Sequence, residues 1–180
     1  MRELHLNTKD LRAAAQTLRV GDRVLLSGTV YTARDAAHGR IFAALEKGEA
    51  LPFPLRDAVI YYAGPTPQKP DGQIGSFGPT TSARMDKFAP RLLDLGLVAM
   101  IGKGDRAPEV LEAVRRNGAV YFCAGGGFGA LISESILQME EIAWPELGCE
   151  SVKRLELREL PVIVAADAAG GNIFAMKDEK

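Results

Sequence analysis

Apolar residues recur along this chain with two alternating periods, one helical and one extended. Leu11, Ala14, Ala15 and Leu18 fall at helical spacing and predict a first helix over Thr8–Leu18. Gly21-Asp22 reads as a turn, and Val24–Val30 as a buried strand. Thr32 can cap a helix over Ala33–Glu46, which Gly48 ends. A second apolar strand, Ala58–Ala63, stops at Gly64-Pro65. Thr66–Gln73 holds Pro67, Pro70 and Gly72 and reads as a turn, with Ile74–Phe77 as a returning strand. Ser82–Leu95 has helical periodicity, and Pro90 predicts that it is kinked or split in two. Leu97–Ile101 is a strand, Pro108–Asn117 a helix with Gly118 at its end, and Ala119–Cys123 another strand. A glycine cluster over 125–129 precedes a predicted helix, Ala130–Ile142, whose face Leu131, Ile132, Ser135, Ile136 and Met139 reads as core. Trp144-Pro145 marks its end. Val152–Leu157 and Pro161–Ala166 are predicted strands, Asn172–Met176 a short final one, and residues 177–180 a polar tail.

Strands alternating with helices through the middle of the chain predict an α/β layer fold with several parallel strands. The stretch 58–77 and the closing strands make the expected sheet mixed. The 180 residues suit one domain.

Composition narrows the function. The 22 basic and 23 acidic residues leave a net charge of −1, so no diffuse basic field is available for nucleic acid or an anionic membrane. Two cysteines, Cys123 and Cys149, and two histidines, His5 and His38, exclude a disulfide framework and a site with four cysteine ligands. Their spacing matches no metal motif, so no metal ligand is expected from this chain. The few cysteines, the polar start Met1–Asp10 and the lack of an 18-residue apolar run predict a cytoplasmic chain without signal peptide or membrane span.

Three junctions share one theme: Tyr31-Thr32-Ala33-Arg34-Asp35, Gly78-Pro79-Thr80-Thr81-Ser82-Ala83-Arg84 and Gly102-Lys103-Gly104-Asp105. Each sets a cation beside glycine or hydroxyl residues. In α/β sheets the carboxyl ends of parallel strands gather on one edge and bind ligands there. Arginine offers a planar fork for carboxylate or phosphate, and lysine a point charge. Together they point to a small anion with more than one negative group. Each has a plainer reading: Arg34 as a solvated helix residue, Thr81 as a cap, Lys103 as an exposed turn residue. His38 lies one helical turn after Arg34, as a packing histidine or one that orients substrate. Cys123 reads as a small buried hydrophobe and Cys149 as a loop residue. Gly125–Ala130 fits a loose dinucleotide pattern, with Glu150 as the best-placed acid, and the signal is weak.

At these junctions the chain resembles a known family, the β subunit (or C-terminal half) of the iron–sulfur class I fumarate hydratases and L(+)-tartrate dehydratases. The resemblance rests on Val20-Gly21-Asp22, Ser27–His38, Ala63-Gly64-Pro65, Gly78–Asp86, Ile101-Gly102-Lys103-Gly104 and Trp144–Gly148. Gly-Pro-Thr-Thr-Ser-Ala-Arg-Met is the most specific block. The resemblance implies a swivelling β/β/α fold with a mixed, largely parallel sheet. It implies a separate α subunit, in a heterodimer or α2β2 complex, that carries a [4Fe–4S] cluster, none being bound by this chain alone. A β homodimer is a further expectation for the isolated chain. Arg34, Arg84 and Lys103 then contact the carboxylates of a small dicarboxylate, with Thr80 and Thr81 as paired hydroxyls, Thr80 in proton transfer, and His38 and Asp35 behind them.

The implied reaction is reversible hydration of fumarate to (S)-malate, with L(+)-tartrate dehydration as the alternative. Two departures from the family stand out: Cys149-Glu150-Ser151 after Gly148, and Asp167–Asn172, which lacks a histidine common there. Both are expected to lie outside the cationic junctions. They are also the support for another reading, a non-catalytic anion-binding or assembly domain.

Overall fold

The computed structural model describes residues 1–66, 69–125 and 129–177. Its strands are β1 (Glu3–Asn7), β2 (Arg23–Thr32), β3 (Val59–Tyr61), β4 (Ala99–Gly102), β5 (Val120–Cys123), β6 (Ile136–Ala143) and β7 (Val152–Ala166). The α-helices are α1 (Leu11–Ala14), α2 (Asp35–Lys47), α3 (Ala89–Asp94), α4 (Pro108–Arg116) and α5 (Gly129–Glu134). The strand order is β1-β2-β3-β4-β5-β7-β6, and β2 also pairs with β7. Strands β1 to β5 are mutually parallel, whereas β7 runs antiparallel to β2, β5 and β6. The fold is thus mixed α/β with mostly parallel strands.

The length of β7 explains the topology. One flank serves β2 from Arg23 to Tyr31. The other serves β6 over Val152–Leu157 and β5 over Ile163–Ala166. The pairings β2–β3–β4–β5–β7–β2 therefore close into a ring. A register shift in β2 falls at Gly28. Its φ is 107°, and a Cβ there would come within 2.7 Å of Asn7 Oδ1, so glycine is required.

Strand alternation divides the buried residues into two cores. Val59, Tyr61 and Ala63 belong to one with Val24, Leu26, Val30, Ile101, Phe122, Leu155 and Leu160. Ala58, Ile60 and Tyr62 face the other, with Ala37 and Ile41 of α2, Leu92 and Leu93 of α3, and Val110 and Val114 of α4. The inward stripe of α2 is Ala37, His38, Ile41 and Ala44, and Gly48 ends the helix at φ 67° with N–H bonds to Ala44 and Leu45.

Several expectations need correction. The first helix shrinks to a 3₁₀ turn at Thr8–Asp10 and α1, and β1 before it was not foreseen. Thr32 does not cap α2. It is the last residue of β2, and its hydroxyl accepts from Lys153 N at 3.0 Å, while Arg34 takes the N-cap position. Residues 82–95 do split, into a 3₁₀ segment, Ser82–Met85, and α3, with the break before Pro90, which stands in the first turn of α3. Ile74–Phe77 is not a strand. The Phe77 ring is fully buried and its carbonyl accepts from Tyr61 Oη at 2.9 Å. Burying such a ring contributes about 2 kcal/mol, more than a typical net hydrogen bond of about 1 kcal/mol, so burial holds this segment without a ladder.

The predicted helix 130–142 ends at Glu134, and the rest is β6. Apolar residues at 136, 139 and 142 fit helical spacing, but the free flank of β7 captures them as a ladder. Trp144-Pro145 consequently ends a strand, with Trp144 at φ 52°. The two strands expected at 152–166 are one. The strand expected at 172–176 is a single bridge from Asn172 to Ala166 followed by a 3₁₀ turn. Residues 178–180 of the expected tail and 126–128 of the glycine cluster lie outside the described residues.

Candidate functional site

The carboxyl ends of β2, β3 and β4 form one edge, and the three cationic junctions meet there. Past Tyr62, residues 79–82 enter between the continuations of β3 and β4. Thr80 N donates to Tyr62 O at 2.7 Å, and Ser82 N to Lys103 O at 3.0 Å. Bridges join Ala63 to Pro79 and Thr81 to Lys103. On the other side, Ala33 N donates to Tyr61 O at 3.1 Å, which sets Arg34 beside the end of β3. Arg34, Thr80, Thr81, Arg84 and Lys103 thus share one rim.

Glycines let the rim close up. A Cβ on Gly64 would stand 3.0 Å from Arg34 Cδ and Nη1 and 2.9 Å from Cys149 O. A Cβ on Gly102 would collide with Ser82 Oγ. Ser82 is fully buried, and its hydroxyl accepts from Lys103 N at 3.0 Å and lies 2.8 Å from Tyr121 Oη. This bond fixes the Thr80–Arg84 segment to the Lys103 loop.

Arg34 is half-buried, and Arg84 is exposed. Arg84 Nε donates to Asp35 Oδ1 at 3.2 Å. Among the described residues, the buried side-chain N and O atoms without a partner are Arg34 Nε, Asp35 Oδ2 and His38 Nε2. Buried polar groups are nearly always paired, and an unpaired one costs about 1–3 kcal/mol. Arg34 Nε and Asp35 Oδ2 belong to side chains at the rim, and His38 Nε2 lies in the core behind them. His38 is fully buried, with Nδ1 2.8 Å from Arg34 O. Burial, and then Arg106, lower its pKa from 6.5 to about 4 against the opposing pull of the Arg34 carbonyl and Asp35.

Behind the rim, Arg106 is sealed from solvent. Its Nε donates to Asp86 Oδ1 at 2.6 Å and Nη2 to Tyr62 Oη at 3.2 Å. Its guanidinium lies 5.2 Å from the Tyr62 ring centre and 4.7 Å from that of Tyr121. Burial disfavours the charge, yet Tyr62 and Asp86 outweigh it and hold the pKa above its ordinary value. Asp86 Oδ2 also accepts from Ala107 N at 2.7 Å, so the pair ties the segment after Arg84 to the start of α4.

A second bracket comes from the 148–151 loop. Lys153 Nζ donates to Gly148 O and Cys149 O at 3.3 Å, to Ser151 O at 3.2 Å and to Ser151 Oγ at 2.7 Å. Burial lowers its pKa. Glu150 Oε1 accepts from Ala36 N at 3.3 Å, so a carboxylate already sits at the N-terminus of α2. That engages the acid considered for a dinucleotide contact. A pocket of about 390 Å³ opens beside this loop, lined by Pro65, Thr66, Met139, Glu141, Cys149 and Lys153.

No group of three or more His, Cys, Asp or Glu side chains among the described residues is gathered to hold a metal ion. Cys149 is exposed, whereas Cys123 is half-buried in β5 with its thiol pKa pushed up by burial. The [4Fe–4S] cluster that the resemblance implies is assigned to a partner chain, and the described residues here offer no ligand set for one. No helix among the described residues is long and apolar enough to cross a membrane.

Residues 1–177 match the family described as Fumarase C-terminus. The chain belongs to this family. A putative L(+)-tartrate dehydratase subunit beta of Methanocaldococcus jannaschii is 39% identical over 97% of this chain and 91% of its own length. The aerobic class I fumarate hydratase of Escherichia coli K12 is 34% identical over 96% of this chain but only 32% of its own length. For fumarate hydratase 2 of Leishmania major the values are 36%, 96% and 33%. The chain therefore spans about a third of these fumarate hydratases and most of the tartrate dehydratase subunit.

In this Fumarase C-terminus domain the sequence motifs and the rim coincide, but the two departures do not lie apart from it. Cys149 O and the Arg34 side chain both lie against Gly64. Asn172 Nδ2 donates to Asp105 Oδ1 at 3.2 Å, two residues from Lys103. Asp167 holds that turn by accepting from Val20, Ala169 and Gly171 N–H groups. Sequence reasoning also missed Arg106 and Lys153. Asp86 closes the Thr-Thr-Ser-Ala-Arg-Met-Asp block and could have announced a partner, but no local spacing points to Arg106 or Lys153.

Proposed function

We propose that this chain is the β component of a hydro-lyase that hydrates fumarate to (S)-malate. Water oxygen adds to one alkene carbon and a proton to the other. The observation that carries this reading is the meeting of Arg34, Arg84 and Lys103 with Thr80 and Thr81 on one edge of the parallel strands. A dicarboxylate needs two or more fixed cations. Proton removal next to a carboxylate builds charge on it, which placed cations stabilise more in the transition state than in the ground state. Thr80 is the hydroxyl assigned to proton transfer; a threonine needs an activating neighbour, for which a carboxylate of the α partner is proposed.

In this reading a cytoplasmic α partner would hold the [4Fe–4S] cluster, which would supply Lewis-acid chemistry when bound there. The domain takes the swivelling β/β/α form and closes over the partner as one unit, residues 1–180. L(+)-tartrate is the second substrate considered, because a tartrate dehydratase subunit matches nearly full length.

The test is anaerobic mixing of the purified chain with its α partner, following fumarate absorbance. Arg84→Ala in that complex should lower kcat/KM at least about 100-fold with assembly intact. Activity of this chain alone, or a wild-type rate in Arg84→Ala, would overturn the reading.

A further inference from the structure

We infer that His38 is a positioning residue for Arg34, acting through the Arg34 carbonyl; the inference rests on Arg34 being a substrate contact. Arg34 is the N-cap of α2, in extended conformation at φ −112° and ψ −160°. Its carbonyl accepts the first helical bond while its side chain leaves the helix for the rim. That carbonyl receives two donors from one residue, His38 N at 2.9 Å and the His38 ring at Nδ1, 2.8 Å. A carbonyl only accepts, so Nδ1 carries the proton and Nε2 is the bare lone pair.

The ring cannot drift. It stacks on Phe88, with centres 5.2 Å apart, and meets Tyr62 edge-on at 5.7 Å. It is fully buried. These contacts fix the plane of the Arg34–Asp35 peptide, from which both the Arg34 guanidinium and the carboxylate that accepts from Arg84 emerge. One imidazole thereby sets the spacing of two rim cations. Asp35 on the same helix and Arg106 from the α4 side are the charged groups that bear on the ring.

The test compares His38→Asn with His38→Gln in the complex with the α partner. Asparagine keeps an N–H donor near the Nδ1 position, whereas glutamine fills the space and moves its donor to the far end. His38→Asn should stay within about fivefold of wild type in kcat/KM, and His38→Gln should fall at least about 30-fold, mostly through KM, since Arg34 binds the ground-state carboxylate. Equal KM values for the two variants would overturn the inference. Independently, long-range ¹H–¹⁵N spectra of the full chain should show His38 protonated at Nδ1 and bare at Nε2; the opposite tautomer would overturn it even if a variant fails to fold. A wild-type complex with no hydro-lyase activity would instead sink the proposed function and leave the tautomer result to decide the His38–Arg34 link.

Discussion

Gly64→Ala perturbs the rim with one methyl group. Gly64 has no positive φ, so the effect is steric rather than conformational. The new Cβ would lie 3.0 Å from Arg34 Cδ and Nη1, and 2.9 Å from Cys149 O. Each must retreat by about 0.5 Å to reach ordinary contact. The arginine end can give way. The Cys149 carbonyl is backbone, held by Lys153 Nζ at 3.3 Å, so it resists. Overpacking costs about 1–3 kcal/mol, and a yielding side chain on one side places this site at about 1–2 kcal/mol. A misplacement of about 1 Å can cost about 100-fold in rate, so a displacement of half that is expected to lower kcat/KM about tenfold. The control is Gly39→Ala. Gly39 lies mid-way along α2 with nothing within 4 Å of an added Cβ. There the same substitution should stabilise by about 0.5–1 kcal/mol and leave the rate alone. Urea denaturation of the chain and fumarate kinetics of the complex read both quantities. If Gly64→Ala matches Gly39→Ala in stability and rate, the packing of Arg34 against Gly64 is not what positions it.

Two further outcomes follow from buried groups. His38 should make stability depend on acid: well above its ordinary pKa of 6.5 folded and unfolded chains both hold it neutral, but as pH falls through 6.5 the unfolded chain takes a proton that the buried ring takes only near 4. Stability is therefore lost as pH falls from 6.5 to about 4, by roughly 3 kcal/mol at most, and urea midpoints at about pH 7 and about pH 4.5 should show a smaller loss in His38→Asn than in wild type. Arg106→Ala should destabilise by about 3–5 kcal/mol, because it removes the cation paired with Asp86 and bonded to the buried Tyr62 hydroxyl; a loss under about 1 kcal/mol in the same urea assay would mean that solvent already reaches the pair.

What could be read from the sequence depended on how local the cause was. The strands at 24–30, 58–63, 97–101 and 119–123 were legible because each is a short apolar run closed by a turn signal. Helix α2 was legible from its stripe and from Gly48. Residues 136–143 were not. Their apolar positions at 136, 139 and 142 fit the helical period, and only the open flank of β7, set by residues further along the chain, selects a strand. Phe77 shows the reverse: the segment 74–77 looks extended but is held by burial of one ring. At the rim, Arg34, Thr80, Thr81, Arg84 and Lys103 stood out because cations and hydroxyls sat at strand ends. Their supports did not, since Arg106 reaches Asp86 across 20 residues and Lys153 reaches back over a turn whose course no local pattern gives.

The ring of pairings bears on the order in which the molecule can form. Its parallel members all lie before residue 124, and the strand that joins the first of them to the last spans Val152–Ala166. A chain emerging from the ribosome therefore carries two bare edges, on β2 and β5, until Val152–Ala166 has been made. Such edges invite pairing with other chains. The contacts that shut them are long-range, which slows closure. The rim at the ends of β2 to β4 would then be last to gain its bracket from the 148–151 loop. Any docking of another chain on this rim would accordingly follow synthesis of Val152–Ala166 rather than accompany it.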